Sequence, residues 1–384
     1  MGNIQKIMDV LNRVKEAEEK LMYKLHKGNV TEQEFYDSVQ NTANLIDGIH
    51  SMLRTDIYEE YKEFFEAFKE LISKCRDRSF LLDNVDSVES CLTLFVECIE
   101  AIVDTYSKKM KKCVCCGYDV MYEPLSSYYS EMRHGAGDFT QSCPETLNSD
   151  EYQCPICGSS DRDRLMVSYL KELQVDKATK NEKLLQIAPA GSIEYWIHSN
   201  CKKLTYHSTD LFMECVTFKS DIQDMNMIKD GSYDFFICSH VLEHVEDDRK
   251  AMGELYRILS NDGIGIFLVP IDLNTIETDE EWGLSEEENW RRFGQGDHCR
   301  TYARKDVIDR LKGAGFCVNE LGKEHFGEEI FNQCGLLDSS ILYVLTKGTV
   351  SLEEVVARRK KKRTQEENNE EEGTNISCRN RNCI

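Results

Sequence analysis

Two cysteine pairs raise the first chemical question. Cys113 and Cys116 are separated by two residues, as are Cys154 and Cys157, and a glycine follows each pair, Gly117 and Gly158. That spacing lets both thiolates of a pair reach one ion, and the glycine permits the tight turn that aims backbone N–H groups at sulfur. Four thiolates make a closed tetrahedral site for a structural zinc ion, with no open position for catalysis. The interval between the pairs is long. Replacement of one ligand by Cys115 or Cys143 is the competing arrangement, and a set of free thiols is the plain one.

A second group of residues follows a series of strand-like segments. The apolar, β-branched and aromatic runs 183–188, 203–210, 215–221, 233–239, 263–270, 316–320 and 341–346 read as seven strands. Helical patterns fall between them at about 162–173, 191–200, 246–259 and 304–314. Alternation of this kind predicts an α/β domain with a mainly parallel, Rossmann-like sheet. Ligands of such sheets bind beyond the carboxyl ends of the strands, so the residues just after each strand are the informative ones. After the first come Ala188, Pro189 and Gly191, a turn where the backbone can approach a ligand. After the second comes Asp210, spaced from that turn as a carboxylate that accepts the hydroxyls of a ribose. After the third come Asp221 and Ile222, a carboxylate and amide able to read the amino group and ring nitrogen of adenine. After the fourth come Ser239, His240 and His244, with Asp247 and Asp248 opening a helix. A lone aspartate after a strand is more often a helix cap. Asp210 and Asp221 in strand order, followed by the block at 239–248, make a stronger set.

The stretch from Asp230 to Asp248, with His240 and the Leu242-Glu243-His244 run, resembles the fourth-strand motif of class I S-adenosylmethionine-dependent methyltransferases. Glu254 to Gly263 resembles the entry to their fifth strand. The subgroup most similar has a Cys-Pro-x-Cys-Gly-Ser segment, here Cys154–Ser159, before the domain. It also has a first strand ending in Ile187–Pro189 and a late motif, here Gly294–Tyr302. The resemblance covers about 160–347 and leaves 1–110 outside. It implies a seven-stranded sheet of order 3-2-1-4-5-7-6 with the seventh strand antiparallel, and S-adenosylmethionine as cofactor. It places the first turn near the methionine part, Asp210 on the ribose, Asp221-Ile222 on the adenine, and Ser239 and His240 under the sulfonium. The chain departs from the family at the first turn, which has Gln186 and a single glycine where an acidic, glycine-rich turn is usual.

Methyl transfer from a sulfonium needs positioning and, for an oxygen or nitrogen acceptor, removal of a proton. His298 and His244 are the candidate bases, because neutral imidazole works near pH 7. Arg300 is a candidate for an acidic acceptor group, or a partner of Asp297, and Tyr302 would pack or hydrogen-bond beside it. The insert 272–292 reads as a lid or a surface helix pair. Two other functions compete. A nicotinamide oxidoreductase would need a G-x-G-x-x-G turn after the first strand, which is absent. A methyltransferase-like scaffold without activity would bind no cofactor.

The elements that position these residues divide the 384-residue chain into four regions. Residues 1–110 repeat apolar residues at helical spacing and predict helices at about 3–27, 31–53, 57–75 and 85–109. Thr31 and Glu34 form a capping box, and Thr55 marks a weaker start. This region is a bundle burying its own stripes, or a docking or self-association module. Residues 111–160 form the zinc-ribbon-like segment, 161–348 the methyltransferase domain, and 349–384 a short helix and then a charged tail expected to lack structure. The basic run 358–363 in that tail reads as solvated, or as an anion contact. A net charge of −22 argues against a nucleic-acid acceptor and favours a small molecule or glycan. Seventeen cysteines without an apolar leader suggest a reducing, cytoplasmic compartment, and no run is apolar enough to span a bilayer.

Overall fold

The computed structural model describes residues 3–27, 31–52, 61–136, 142–178, 181–348 and 350–379. The chain forms two compact units, Met1–Met110 and Lys111–Ile384. In the first, helices span Asn3–His26, Glu32–Met52, Lys62–Lys74, Arg78–Asp83 and Val85–Ser107. Thr31 and Glu34 make the expected reciprocal cap: Thr31 N donates to Glu34 Oε2 at 3.1 Å and Glu34 N donates to Thr31 Oγ1 at 3.3 Å. The core of this unit includes Leu11, Val14, Phe65, Phe68 and Phe95, with the rings of Phe68 and Phe95 stacked 3.9 Å apart. The helix start read at Thr55 lies outside the described residues.

The second unit is built on one seven-stranded sheet: β1 Lys183–Ile187, β2 Thr205–Asp210, β3 Phe218–Lys219, β4 Tyr233–Ser239, β5 Leu259–Leu268, β6 Phe316–Leu321 and β7 Leu342–Lys347. Its order is 3-2-1-4-5-7-6, as the resemblance implies. β7 runs antiparallel to both β5 and β6, and the other neighbours are parallel. The central strands are buried on both faces, which is why β4 reads as an almost unbroken apolar run. β3 is shorter than read from the sequence, a two-residue edge strand paired only through Thr209–Phe218 and Asp210–Lys219. Gly265 in β5 leaves room for the Phe236 ring of β4, which occupies the place of a β-carbon.

Two regions differ from the sequence reading. Residues 111–160 belong to the same compact unit as the sheet rather than standing apart as a domain. Beyond residue 349, where a short helix and then an unstructured charged tail were expected, one helix covers Leu352–Arg379. The reason lies in the basic run itself. Arg359 and Arg363 are buried and both hold the buried Glu182 carboxylate, at 2.6 and 2.8 Å. Arg363 also donates to the carbonyls of Leu173 and Gln174, and the Arg359 guanidinium lies 4.3 Å from the centre of the Phe235 ring. The run is amphipathic at helical spacing, with two arginines inward and lysines between them.

Replacing Gly265 by valine should cost about 1–3 kcal/mol of stability, because the Phe236 ring has no free space to enter. Denaturant unfolding of the variant beside the parent protein checks this.

Candidate functional site

The two cysteine turns have the same backbone pattern. Gly117 N donates to Cys113 O at 2.8 Å and Gly158 N to Cys154 O at 2.9 Å, while Cys113 N and Cys154 N each bond 2.9 Å to the carbonyl five residues on. Both glycines have positive φ, +78° and +71°, the left-handed turn that the sequence required of them. The four sulfurs of Cys113, Cys116, Cys154 and Cys157 all lie within 4.8 Å of one another. Cys113 is 3.8 Å from Cys157 and Cys116 is 3.9 Å from Cys154, sulfur to sulfur. A tetrahedron of Zn–S bonds of about 2.3 Å has edges of roughly 3.8 Å, so the cluster fits a zinc ion. Cys115 is buried but stands outside the cluster, and Cys143 is exposed, its N–H bonded to Asp272.

This segment is tied to the sheet through Arg164, on the helix Asp161–Glu172 whose start Ser160 and Asp163 close as a capping box. The buried Arg164 guanidinium donates to the carbonyls of Glu151, Tyr152, Ser159 and Cys334, and lies 3.6 Å from the centre of the Tyr122 ring. The cysteine segment is thereby pressed over the carboxyl ends of β1 and β4.

Two cavities open there. The smaller, about 290 Å³, is lined by Ala188 and Ala190 after β1 and Ser239 and His240 after β4, and by Tyr152, Gly158, Ser160 and Arg162 from the cysteine side. It sits at the switch point, where β1 is followed by β2 on one side and flanked by β4 on the other. Ala188 and His240 both have positive φ, +47° and +53°. Such a conformation costs a non-glycine residue about 1–2 kcal/mol. Each is held in it by a backbone bond to the next strand, Ala188 N to Thr209 O and His240 N to Leu268 O, both 2.9 Å. The missing glycine of the first turn is therefore replaced by an alanine in a glycine-like conformation.

The other residues read as cofactor contacts do not line this cavity. Asp210 Oδ1 accepts from the amides of Phe212 and Met213 at 2.6 and 2.7 Å. Asp221 Oδ1 accepts from Gln223 N at 2.8 Å, and both of its oxygens meet Gln223 Nε2. The Ile222 side chain is buried in the core. Gly191 starts the helix Gly191–Asn200 directly after Pro189 and Ala190.

The larger cavity, about 530 Å³, adjoins the first and shares Tyr152, Arg162 and His240 with it. Its walls include Glu243, His244 and His298, and the insert contributes Asp272, Asp279 and Arg292. The insert is neither a free lid nor a helix pair. Asp279–Glu280 pairs with Arg300–Thr301, and a single helix, Glu286–Phe293, follows. His244 and His298 meet edge to face, ring centres 4.7 Å apart. Burial lowers the pKa of His298 to about 4 and also depresses that of His240, so both rings are neutral near pH 7.

Two residues read as acceptor contacts have another role. Arg300, 3% exposed, donates to the carbonyls of Leu242, Val245 and Glu246 and to the Glu280 carboxylate. It pins the turn that carries Glu243 and His244, and Asp297 pairs with His244 instead, at 3.3 Å. Tyr302 is fully buried; its hydroxyl donates to Asp248, which also binds Arg310. Arg300 nevertheless lines the larger cavity, whereas Tyr302 does not. Sequence reading missed Arg162 and Tyr152, because only the fold of the cysteine segment brings them to the cavities. It also missed Glu243 as a site residue, although Glu243 lies inside the quoted motif.

Residues 196–267 match the model of a family described as "Methyltransferase domain". A search of curated proteins finds no match. Solved structures similar to this chain include the YcgJ protein of Bacillus subtilis, with 12% identity, 47% of this chain and 99% of that one covered, and a TM-score of 0.31. Phosphoethanolamine N-methyltransferase 2 of Haemonchus contortus, in complex with S-adenosyl-L-methionine, has 13% identity over 50% of this chain and 53% of that one, with a TM-score of 0.32. A SAM dependent methyltransferase from Aquifex aeolicus has 12% identity over 56% and 96%, with a TM-score of 0.29. The methyltransferase-domain match and the strand order agree with the resemblance read from the sequence.

Glu145, in the segment that leads into the larger cavity, gives a pH signature. Burial raises its pKa from 4.5 to about 7, against the opposing Tyr343 hydroxyl at 3.0 Å and Arg304. A folded-state pKa above the unfolded one contributes stability that is full below the unfolded value and fades as pH rises through about 7. Glu145→Gln should therefore gain melting temperature relative to the parent protein as pH goes from about 5 to about 8. An unchanged difference across that range would contradict the assignment.

Proposed function

We propose that this chain is an S-adenosylmethionine-dependent methyltransferase acting on an oxygen or nitrogen of a small-molecule or glycan acceptor. The observation that carries the reading is the pair of adjoining cavities with a common wall of Tyr152, Arg162 and His240. A two-substrate transfer needs the donor in one cavity and the acceptor in the next, with the reacting atoms meeting at that wall. The smaller cavity would take the methionine end of the cofactor, beside Ala188, Ser239 and His240. Asp210 would meet the ribose with its Oδ2, since Oδ1 is held by the turn, and Asp221 and the Ile222 amide would meet the adenine. The acceptor would enter beside His298 and His244, which orient it or take its proton. In the transfer the C–S bond would break with its electron pair kept on sulfur, and the methyl carbon would bond to the acceptor as the acceptor proton passes to a histidine or to solvent.

Zinc in the four-cysteine cluster would have a structural role. Its fit rests on the sulfur separations and on the absence of an open ligand position. Because the same segment lines the cofactor cavity, zinc and cofactor binding should be coupled. The helical unit 1–110 would serve a protein partner or self-association. A cytoplasmic location remains the reading of its cysteine usage, and among the described residues no helix is long and apolar enough to cross a membrane.

Calorimetric titration of the zinc-containing protein with S-adenosylmethionine and S-adenosylhomocysteine tests the reading. Asp210→Asn keeps an oxygen for the turn, so it should weaken binding at least tenfold, about 1.4 kcal/mol, with little change in melting temperature. A folded protein that binds neither ligand would be a scaffold instead. Stripping zinc with a chelator should lower the melting temperature and weaken S-adenosylhomocysteine together; loss of zinc without either effect would refute the structural role.

A further inference from the structure

Glu243 is the most anomalous polar residue of the second unit. It is fully buried in the short turn Leu242–His244, and neither carboxylate oxygen has a hydrogen-bond partner among the described residues. Oε1 lies 3.2 Å from His240 Nδ1, without the alignment of a hydrogen bond, and 3.9 Å from His244 Nε2. A buried carboxylate whose nearest donor is a misaligned imidazole is poorly satisfied, so it points to a missing cationic partner. Around it, Glu243, His244 and His298 offer ligand atoms that all lie within 4.8 Å of one another.

The surroundings are arranged for ligation. His244 Nδ1 lies 3.1 Å from the Asp297 carbonyl and 3.3 Å from its carboxylate. An Nδ1–H donated there leaves the lone pair on Nε2, the atom nearer Glu243, which is how partners outside a metal site fix the tautomer of a ligand histidine. The turn is rigid: Arg300 holds the carbonyls of Leu242, Val245 and Glu246, and Cys299 N bonds Glu243 O at 2.8 Å. That last bond fixes the distance between the turn and His298. Metal–ligand bonds of about 2.1 Å allow ligand separations up to roughly 4.2 Å, so only small side-chain rotations are needed.

We propose that Glu243, His244 and His298 bind a divalent transition-metal ion, separate from the four-cysteine cluster, with open positions facing the 530 Å³ cavity. Two imidazoles and one carboxylate suit manganese, iron, cobalt or zinc and leave positions for exchangeable ligands. Resting on the methyltransferase reading, the ion would take the hydroxyl oxygen of the acceptor, lower its pKa and release its proton to solvent. That oxygen would then bond the methyl carbon while the C–S electron pair stays on sulfur. The acceptor class is accordingly an alcohol or phenol rather than an amine, and the two histidines act through the ion instead of as free bases.

The test is Mn²⁺ binding to the full-length, zinc-loaded protein, read by loss of the free-ion electron paramagnetic resonance signal. Manganese is a hard ion that thiolates bind poorly, so the cysteine cluster does not compete. One additional ion per chain is expected. Glu243→Gln and His298→Asn should each weaken it at least tenfold, with zinc content unchanged. Mn²⁺ should raise the melting temperature of the parent protein and not of Glu243→Gln, a readout independent of activity. Equal Mn²⁺ binding by parent and both variants, or none by the parent at millimolar ion, would overturn the site. S-adenosylhomocysteine titration of the same samples separates the two readings. Ion binding without it keeps the metal site and removes its role toward an acceptor.

Discussion

The guanidinium of Arg164 is the contact on which the arrangement of this unit depends. A buried cation with no carboxylate partner is expensive unless its N–H groups are satisfied. Here they are satisfied by carbonyls from three places that the chain visits far apart: the approach to the second cysteine turn, the end of that turn, and Cys334 at the end of the helix Lys323–Cys334. The carbonyl end of a helix is a favourable place for a cation. Tyr122 adds its ring face, and its hydroxyl reaches Gln333 O at 2.9 Å. One side chain therefore locks the cysteine segment against both the first helix and a late helix of the sheet domain. Lysine could not replace it, because the planar fork is what reaches several carbonyls at once.

That lock explains why the cysteine segment, with almost no apolar core of its own, behaves as part of the sheet domain. Its inner face contributes Tyr152 and Ser160 to the cavities, and the helix it leads into contributes Arg162. In an open α/β sheet the carboxyl ends of the strands are exposed, and a binding crevice has a floor but only partial walls. The zinc-ribbon-like segment supplies one wall and the insert after β5 supplies another. At the opposite ends of the strands, Arg359 and Arg363 close on Glu182. The sheet is thus covered at its ligand end by residues that can recognise a molecule, and at its far end by an ion pair that stabilises.

The strands, the helix starts and the two cysteine turns were legible because each depends on local pattern, whereas the strand order came only with the family resemblance. Buried runs such as 233–239 announce a central strand, and a glycine after each cysteine pair announces its turn. The site was legible only where chain order alone places a residue, as for Ser239 and His240. Tyr302, and in part Arg300, serve the scaffold for one physical reason. Their motif lies beside the site, but their polar atoms face backward, onto carbonyls and onto Asp248. Sequence gives the neighbourhood of a side chain and not its direction. The basic run at 358–363 failed in the same way: composition suggested solvent, whereas helical spacing turned two arginines inward.

The strained residues carry the last step. Ala188 and His240 hold left-handed conformations at the ends of adjacent strands, Ala188 beside the smaller cavity and His240 where the two cavities meet. Strain of this kind persists only where surrounding bonds enforce it, and here the sheet ladder does so on both strands. At Ala188 the consequence is a turn that follows a glycine-like path with a methyl group attached, narrowing the cavity floor. At His240 the consequence is larger. A left-handed residue reverses the chain sharply enough to start the turn Leu242–His244, and that turn is what buries Glu243 beside two imidazoles. The backbone geometry at the end of β4 thereby fixes both the wall between the cavities and the position of the unpartnered carboxylate.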